Sequence, residues 1–238
     1  MATVVLVRHG RSTANSAGVL AGRLPGTTLD ELGTEQARSA GVRLADVPLA
    51  GVLCSPSARC RETAQAMLAV HPGPPEVEVH AGLDECDYGT WQGRTLADLS
   101  QEPLWGVVQR QPSAVTFPGG ESMRAMQQRA VDAVREHDAR VEAEHGPGAV
   151  WMAVSHGDVI KAVLADALGL HLDQFQRLHV DPASVSLVRY TSERPYVVAT
   201  NTSAGDLGWL APSGDEQAAD AGAVVGGGAG PEPSRGRP

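Results

Sequence analysis

Thr3-Val4-Val5-Leu6-Val7-Arg8-His9-Gly10 reads as a short buried strand that delivers a cation, an imidazole and a flexible residue at its tip. Open α/β sheets place their chemistry at such tips, because the loops beyond the carboxyl ends of parallel strands face one crevice. The layout recurs twice. Gly51 to Cys54 runs into Ser55-Pro56-Ser57-Ala58-Arg59, and Val150 to Val154 runs into Ser155-His156-Gly157. Further strand-like runs cover Val77 to Val79, Val185 to Tyr190 and Tyr196 to Thr200.

Helical patterns lie between these runs. Glu31 to Leu44 carries Leu32, Ala37, Ala40, Val42 and Leu44 among polar residues, and Arg59 to Val70 repeats the theme with Ala64, Met67 and Leu68. Glu121 to Glu144 is the longest candidate, ending before His145-Gly146-Pro147, and Asp158 to Leu168 again follows a strand. The alternation predicts an α/β fold, a three-layer sandwich with a mostly parallel central sheet flanked by helices.

Composition bounds the function. The chain has 238 residues, 42% of them apolar and 20% charged, which fits a globular α/β domain and excludes wholesale disorder or a coiled coil. The formal charge of −9 argues against nucleic acid as a partner, so an anionic substrate needs a locally positive pocket. Cys54, Cys60 and Cys86 are odd in number and form no C-x-x-C pair, which reads as reduced thiols in a cytoplasmic protein. No run approaches the roughly 18 apolar residues of a membrane span, and the N-terminus lacks the pattern of a secretory signal. From Ala211 onward the sequence turns to Gly, Ala, Pro, Ser and scattered acids without periodicity. Such a segment cannot offset its ordering entropy, so the expected division is one domain over 1–210 and a low-complexity, disordered tail over 211–238. Oligomeric state is left open, with a homodimer as one option.

The residues at the strand tips share a chemistry. A neutral imidazole can attack phosphorus, and the unperturbed histidine pKa of about 6.5 makes that form available near neutral pH. Gly10 is expected to clear room for the substrate beside His9. Arg8 and Arg59 can each present a forked, permanently charged donor pair to phosphoryl oxygens. His156 could add a further donor, and Asn15 an amide. Each residue taken singly fits an ordinary turn or surface position; their occurrence together at successive strand tips is the signal. Protonating a leaving alkoxide requires an acid, for which Asp84, Glu85 and Asp87 are equal candidates on physical grounds. His9, His156 and Glu85 could also be read as metal ligands, but Arg8 and Arg59 would repel a divalent ion, so no metal and no cofactor is expected.

An ordered series of motifs resembles the histidine phosphatase superfamily, the phosphoglycerate mutase-like group. It runs through Arg8-His9-Gly10 with Ser12 and Asn15, Leu29 to Gly33 with Glu35-Gln36-Ala37, and Ser55-Pro56 with Arg59, Arg61 and Thr63-Ala64. It continues in Leu83-x-Glu85, Tyr88-Gly89, Trp91 and Gly93, then Pro118-Gly119-Gly120-Glu121-Ser122, and closes on Ser155-His156-Gly157. The resemblance implies that His9 is phosphorylated and that Arg8, Arg59 and His156 bind the phosphoryl group, with Asn15 a further contact. It also implies that Glu85 is the proton donor and later the base.

Mutases of that group carry a longer basic insertion between the Leu-x-Glu and Gly-Glu-Ser motifs. Here the stretch from Gln101 to Phe117 is compact, with Arg110 its only basic residue. The expectation is a phosphatase acting on a small phosphorylated metabolite, with a cofactor-dependent phosphoglycerate mutase and a degenerate phospho-ligand binder as alternatives. Trp91, Leu104, Trp105, Val107 and Val108 are expected to be mostly core rather than a cap over the site.

Overall fold

A computed structural model describes residues 2–203 together with Val225, Gly226 and Gly228. The strands are β1 (Thr3–Arg8), β2 (Leu49–Cys54), β3 (Val77–Val79), β4 (Val150–Ser155), β5 (Val185–Arg189) and β6 (Tyr196–Thr202). They form a single six-stranded sheet in the order β3-β2-β4-β1-β5-β6. The pairs β2–β3, β2–β4 and β1–β4 are parallel, whereas β5 and β6 run antiparallel at one edge. The α-helices are α1 (Thr13–Ser16), α2 (Glu31–Leu44), α3 (Ala58–Leu68), α4 (Leu96–Leu99), α5 (Trp105–Arg110), α6 (Met123–His145) and α7 (Gly157–Ala167).

Strand alternation distributes the central side chains to two cores. Val4 and Leu6 of β1, with Trp151 and Ala153 of β4, join the larger cluster with α6 and α7. Val5, Val7, Met152 and Val154 point the other way, into the cluster that α2 and α3 close with Ala37, Ala40, Ala64 and Met67. Both faces are therefore covered, and the central strands read as continuous apolar runs for that reason. Small residues let α2 and α3 approach closely: a Cβ on Gly41 would lie 2.6 Å from the Met67 carbonyl oxygen.

The expected helix over Glu121 to Glu144 starts at Met123, because the Ser122 side chain accepts from the Ala125 amide and caps it. Trp91 and Val108 are buried, and Leu104, Trp105 and Val107 pack partly buried against the same cluster, so this group is core as expected. All three cysteines are free and buried. The boundary expected at 210 and most of the tail lie outside the described residues. Val225 is buried in the larger core cluster, a contact that the composition of the tail does not anticipate. Among the described residues, no helix is long and apolar enough to cross a membrane.

Candidate active site

Sheet order brings the chemistry together. β2, β4 and β1 are successive parallel neighbours, and the register pairs Arg8 with Ser155 and Cys54 with Val154. His9 and His156 thus leave adjacent strands at the same level, with ring centroids 5.2 Å apart. The His9 amide donates to the Ser155 carbonyl at 2.9 Å. Arg59 enters from the first turn of α3, directly after β2.

The hydrogen bonds fix the ring nitrogens. His9 Nδ1 lies 2.7 Å from the Gly10 carbonyl, so Nδ1 carries the proton and donates. Its Nε2 keeps a lone pair, which accepts from Arg59 Nε at 3.2 Å. Burial, then the charges of Arg59 and Arg8, push the His9 pKa well below its ordinary value, so the ring is neutral at physiological pH. His156 has the complementary arrangement. Its Nδ1 accepts from Arg59 Nη2 at 3.0 Å, and its Nε2–H donates to Ser55 Oγ at 2.8 Å. Ser55 Oγ in turn donates to Asp84 Oδ1 at 3.2 Å. Burial and then Arg59 hold the His156 pKa well below the usual range, so it becomes a donor toward the pocket only when an incoming anion raises that pKa.

Structure separates the three candidate acids. Glu85 is 2% exposed, with Oε2 at 3.8 Å from His156 Nδ1 and Oε1 accepting from the Cys86 amide at 2.9 Å. Burial, reinforced by the charge of Asp158, raises its pKa to about 7. Asp84 instead accepts from Ser55 and from the Glu85 amide, and Asp87 accepts from the Gly89 amide and the Gln92 side chain. Both are local braces, so Glu85 is the buried one of the three that is held protonated to about pH 7.

Several residues that support the site are not singled out as functional by the sequence. The Glu85 carbonyl accepts from Arg23 Nε at 2.8 Å and from Arg129 Nη2 at 3.0 Å. Both guanidiniums are balanced by Glu121, whose Oε1 lies 2.7 Å from each. This gives the acid of the Gly-Gly-Glu-Ser motif a role in fixing the Glu85 loop. Thr63 Oγ1 accepts from the Gly10 amide at 3.0 Å and donates to the Arg59 carbonyl at 2.7 Å, tying two strand tips together. The charge cluster Arg23–Glu121–Arg129 is legible only in space, since its members are 98 and 8 residues apart.

Gly10 corrects an expectation. Its missing side chain does not make room for substrate: a Cβ there would lie 2.2 Å from the Gly33 carbonyl oxygen, and one on Gly33 would lie 1.9 Å from that of Arg11. The glycine pair lets the start of α2 lie against the loop that carries His9. Asp30 caps that helix through the Gly33 amide at 2.7 Å and pairs with Arg11, also at 2.7 Å.

His9, Asn15, Arg59 and Glu85 line one pocket, together with Val225, Gly226 and Gly228. Asn15 Oδ1 accepts from the Ser12 amide and hydroxyl, which orients its amide at the pocket wall. His156 is fully buried and acts on the pocket from behind Arg59. Arg8 is 1% exposed, and burial lowers its pKa to about 10, so it stays charged. Its Nη1 donates to the Val180 carbonyl and its Nη2 to the Gly228 carbonyl, each at 2.8 Å. Among the described residues, no group of three or more His, Cys, Asp or Glu could hold a metal ion.

A neutral buried imidazole, two permanent cations and a carboxyl held protonated to about pH 7 are the groups that phosphoryl transfer to a histidine requires. The chain belongs to the histidine phosphatase superfamily (branch 1), whose family model matches residues 4–203. It is 32% identical over 193 residues to a bifunctional protein of Mycobacterium tuberculosis, covering 80% of this chain and 50% of that protein. The chain thus spans about half the length of the curated relatives that match it in this way. It is 30% identical over 186 residues to the adenosylcobalamin/alpha-ribazole phosphatase of Escherichia coli, covering 77% of this chain and 87% of that enzyme. The solved mycobacterial glucosyl-3-phosphoglycerate phosphatase, in complex with VO3, superposes with a TM-score of 0.76 at 28% identity, covering 84% of this chain and 99% of that one.

Proposed function

We propose that this chain hydrolyses phosphate monoesters of small metabolites through a phosphohistidine at His9, without a metal ion. The observation that carries the reading is the fixed tautomer of His9, with a neutral Nε2 lone pair held between Arg59 and the pocket. Nε2 attacks phosphorus while the P–O ester bond breaks, and Glu85 gives its proton to the departing oxygen. Arg59 and Arg8 stabilise the charge on the non-bridging oxygens. Glu85, now a carboxylate, takes a proton from water; the resulting attack on phosphorus breaks the N–P bond and restores both residues. No step needs a Lewis acid, because the guanidiniums supply the positive charge.

Hydrolysis is favoured over mutase chemistry by the walls. A mutase must grip a second anionic group, yet Arg59 is the one Lys or Arg among the described residues that line the pocket. The activities of the two phosphatase relatives support the same choice. Three buried free thiols support a reducing, cytoplasmic setting. The test is a panel of phosphate esters, phosphoglycerates included, followed for both free phosphate and isomer exchange. Phosphate release without exchange is expected; exchange without release would overturn the proposal.

A further inference from the structure

We infer that the segment bearing Val225, Gly226 and Gly228 is an intramolecular plug that competes with the phosphoryl group for Arg8. The inference rests on the reading of this pocket as a phosphoryl site. Gly228 presents its carbonyl oxygen to Arg8 Nη2 at 2.8 Å, a donor that the proposed mechanism assigns to a phosphoryl oxygen. The Gly226 amide donates to Asp158 Oδ2 at 2.9 Å. Asp158 is fully buried at the start of α7, where it also accepts from Tyr88 Oη at 2.8 Å and lies 3.7 Å from Lys161 Nζ. Val225 is 1% exposed. The plug is therefore held at three points: an apolar anchor, a backbone donor on a buried carboxylate, and a backbone acceptor on the phosphate-binding arginine.

Space supports competition rather than cooperation. With these residues seated, the cavity in front of His9 measures about 40 Å³. The Arg8 Nη2 donor that Gly228 occupies is then closed to a phosphoryl oxygen, so the two exclude each other at that atom. Chemistry sets the direction of exchange. A neutral carbonyl is a weaker partner for a guanidinium than a charged phosphoryl oxygen, so an anionic ligand can displace Gly228. The glycines are matched to the task. Gly226 has φ +75°, and a Cβ on it would lie 2.6 Å from Leu20 Cδ1, so a side chain at this position unseats the plug.

The experiment uses the full chain and inorganic phosphate as the probe. Gly226→Val and, separately, Val225→Asp are compared with wild type by calorimetry and by the KM for a phosphate ester, and hydrogen exchange of the Gly226 amide is followed in wild type with and without phosphate. If the seated state holds nine-tenths of wild-type molecules, unseating it tightens phosphate binding by roughly tenfold. Both variants are expected to bind phosphate more tightly with a lower KM, and added phosphate is expected to speed Gly226 exchange in wild type. Equal or weaker phosphate binding in both variants, or unchanged or slower Gly226 exchange on adding phosphate, overturns the plug. Failure of the enzymatic reading looks different: no ester is turned over, while the variants still bind phosphate more tightly.

Discussion

Replacing Glu85 by glutamine is expected to cripple turnover and stabilise the fold, and the two effects have different pH signatures. The carboxyl is buried, and its pKa is raised from the ordinary 4.5 to about 7 by burial and then by Asp158. Below pH 4.5 the folded and unfolded chains both carry the proton, and nothing is lost. As pH rises toward 7 the unfolded chain ionises while the folded one does not, so wild-type stability falls. Above about 7 the full cost is present, on the order of 3 kcal/mol at about 1.4 kcal/mol for each pH unit. Glutamine removes that cost and can keep the Oε1 contact to the Cys86 amide. At roughly 2–4 °C per kcal/mol for a chain of this size, the variant is expected to melt about 6–12 °C above wild type at pH 8. The gap should close toward pH 4.5. Turnover of an alkyl phosphate should fall by about 10²–10⁴-fold, the usual worth of a general acid, and the alkaline decline near pH 7 should vanish with it. The assay is a paired series of melting curves and initial rates across pH. A stability difference independent of pH, or near wild-type turnover of the alkyl ester in E85Q, would refute the assignment.

Other substitutions test the remaining parts. Arg59→Ala removes the cation that depresses both imidazoles, so the pKa values of His9 and His156 should rise, as followed by NMR titration, while kcat/KM falls by at least about 10²-fold. Gly10→Ala drives a methyl against the Gly33 carbonyl and should cost about 1–3 kcal/mol of stability in denaturant titration, because backbone must move to relieve it. Glu121→Gln leaves Arg23 and Arg129 without their shared carboxylate near Glu85; the alkaline limb of the rate profile should move to lower pH, and an unmoved limb would remove Glu121 from the site.

What the sequence revealed follows from periodicity and strand tips. The runs before Arg8, Ser55 and Ser155 are apolar because β1, β2 and β4 are covered on both faces, and that burial makes them visible. Their side-by-side order in the sheet then brings His9, Arg59 and His156 together without further information. The choice among Asp84, Glu85 and Asp87 is invisible to periodicity, since only burial and the Arg23 and Arg129 clamp distinguish Glu85. The family resemblance, not residue physics, singles it out. Gly10 was legible as necessary but not as to its purpose, because its neighbour Gly33 is 23 residues away. The plug was least legible of all: Val225, Gly226 and Gly228 lie in a stretch whose composition signals no packing, and their contacts depend on a carboxylate and a guanidinium placed elsewhere by the fold.

His9 Nε2 is expected to accept the phosphoryl group. The most direct measurement mixes the full chain briefly with a phosphate ester, quenches at alkaline pH to preserve an acid-labile phosphoramidate, and maps the adduct by mass spectrometry. The phosphoryl group is expected on His9, absent from His9→Ala, and accumulating when Glu85→Gln is fed an ester with a good leaving group, because the water that clears it then lacks its base. A phosphoryl group on another residue, or turnover by a folded His9→Ala protein, would remove His9 as the nucleophile.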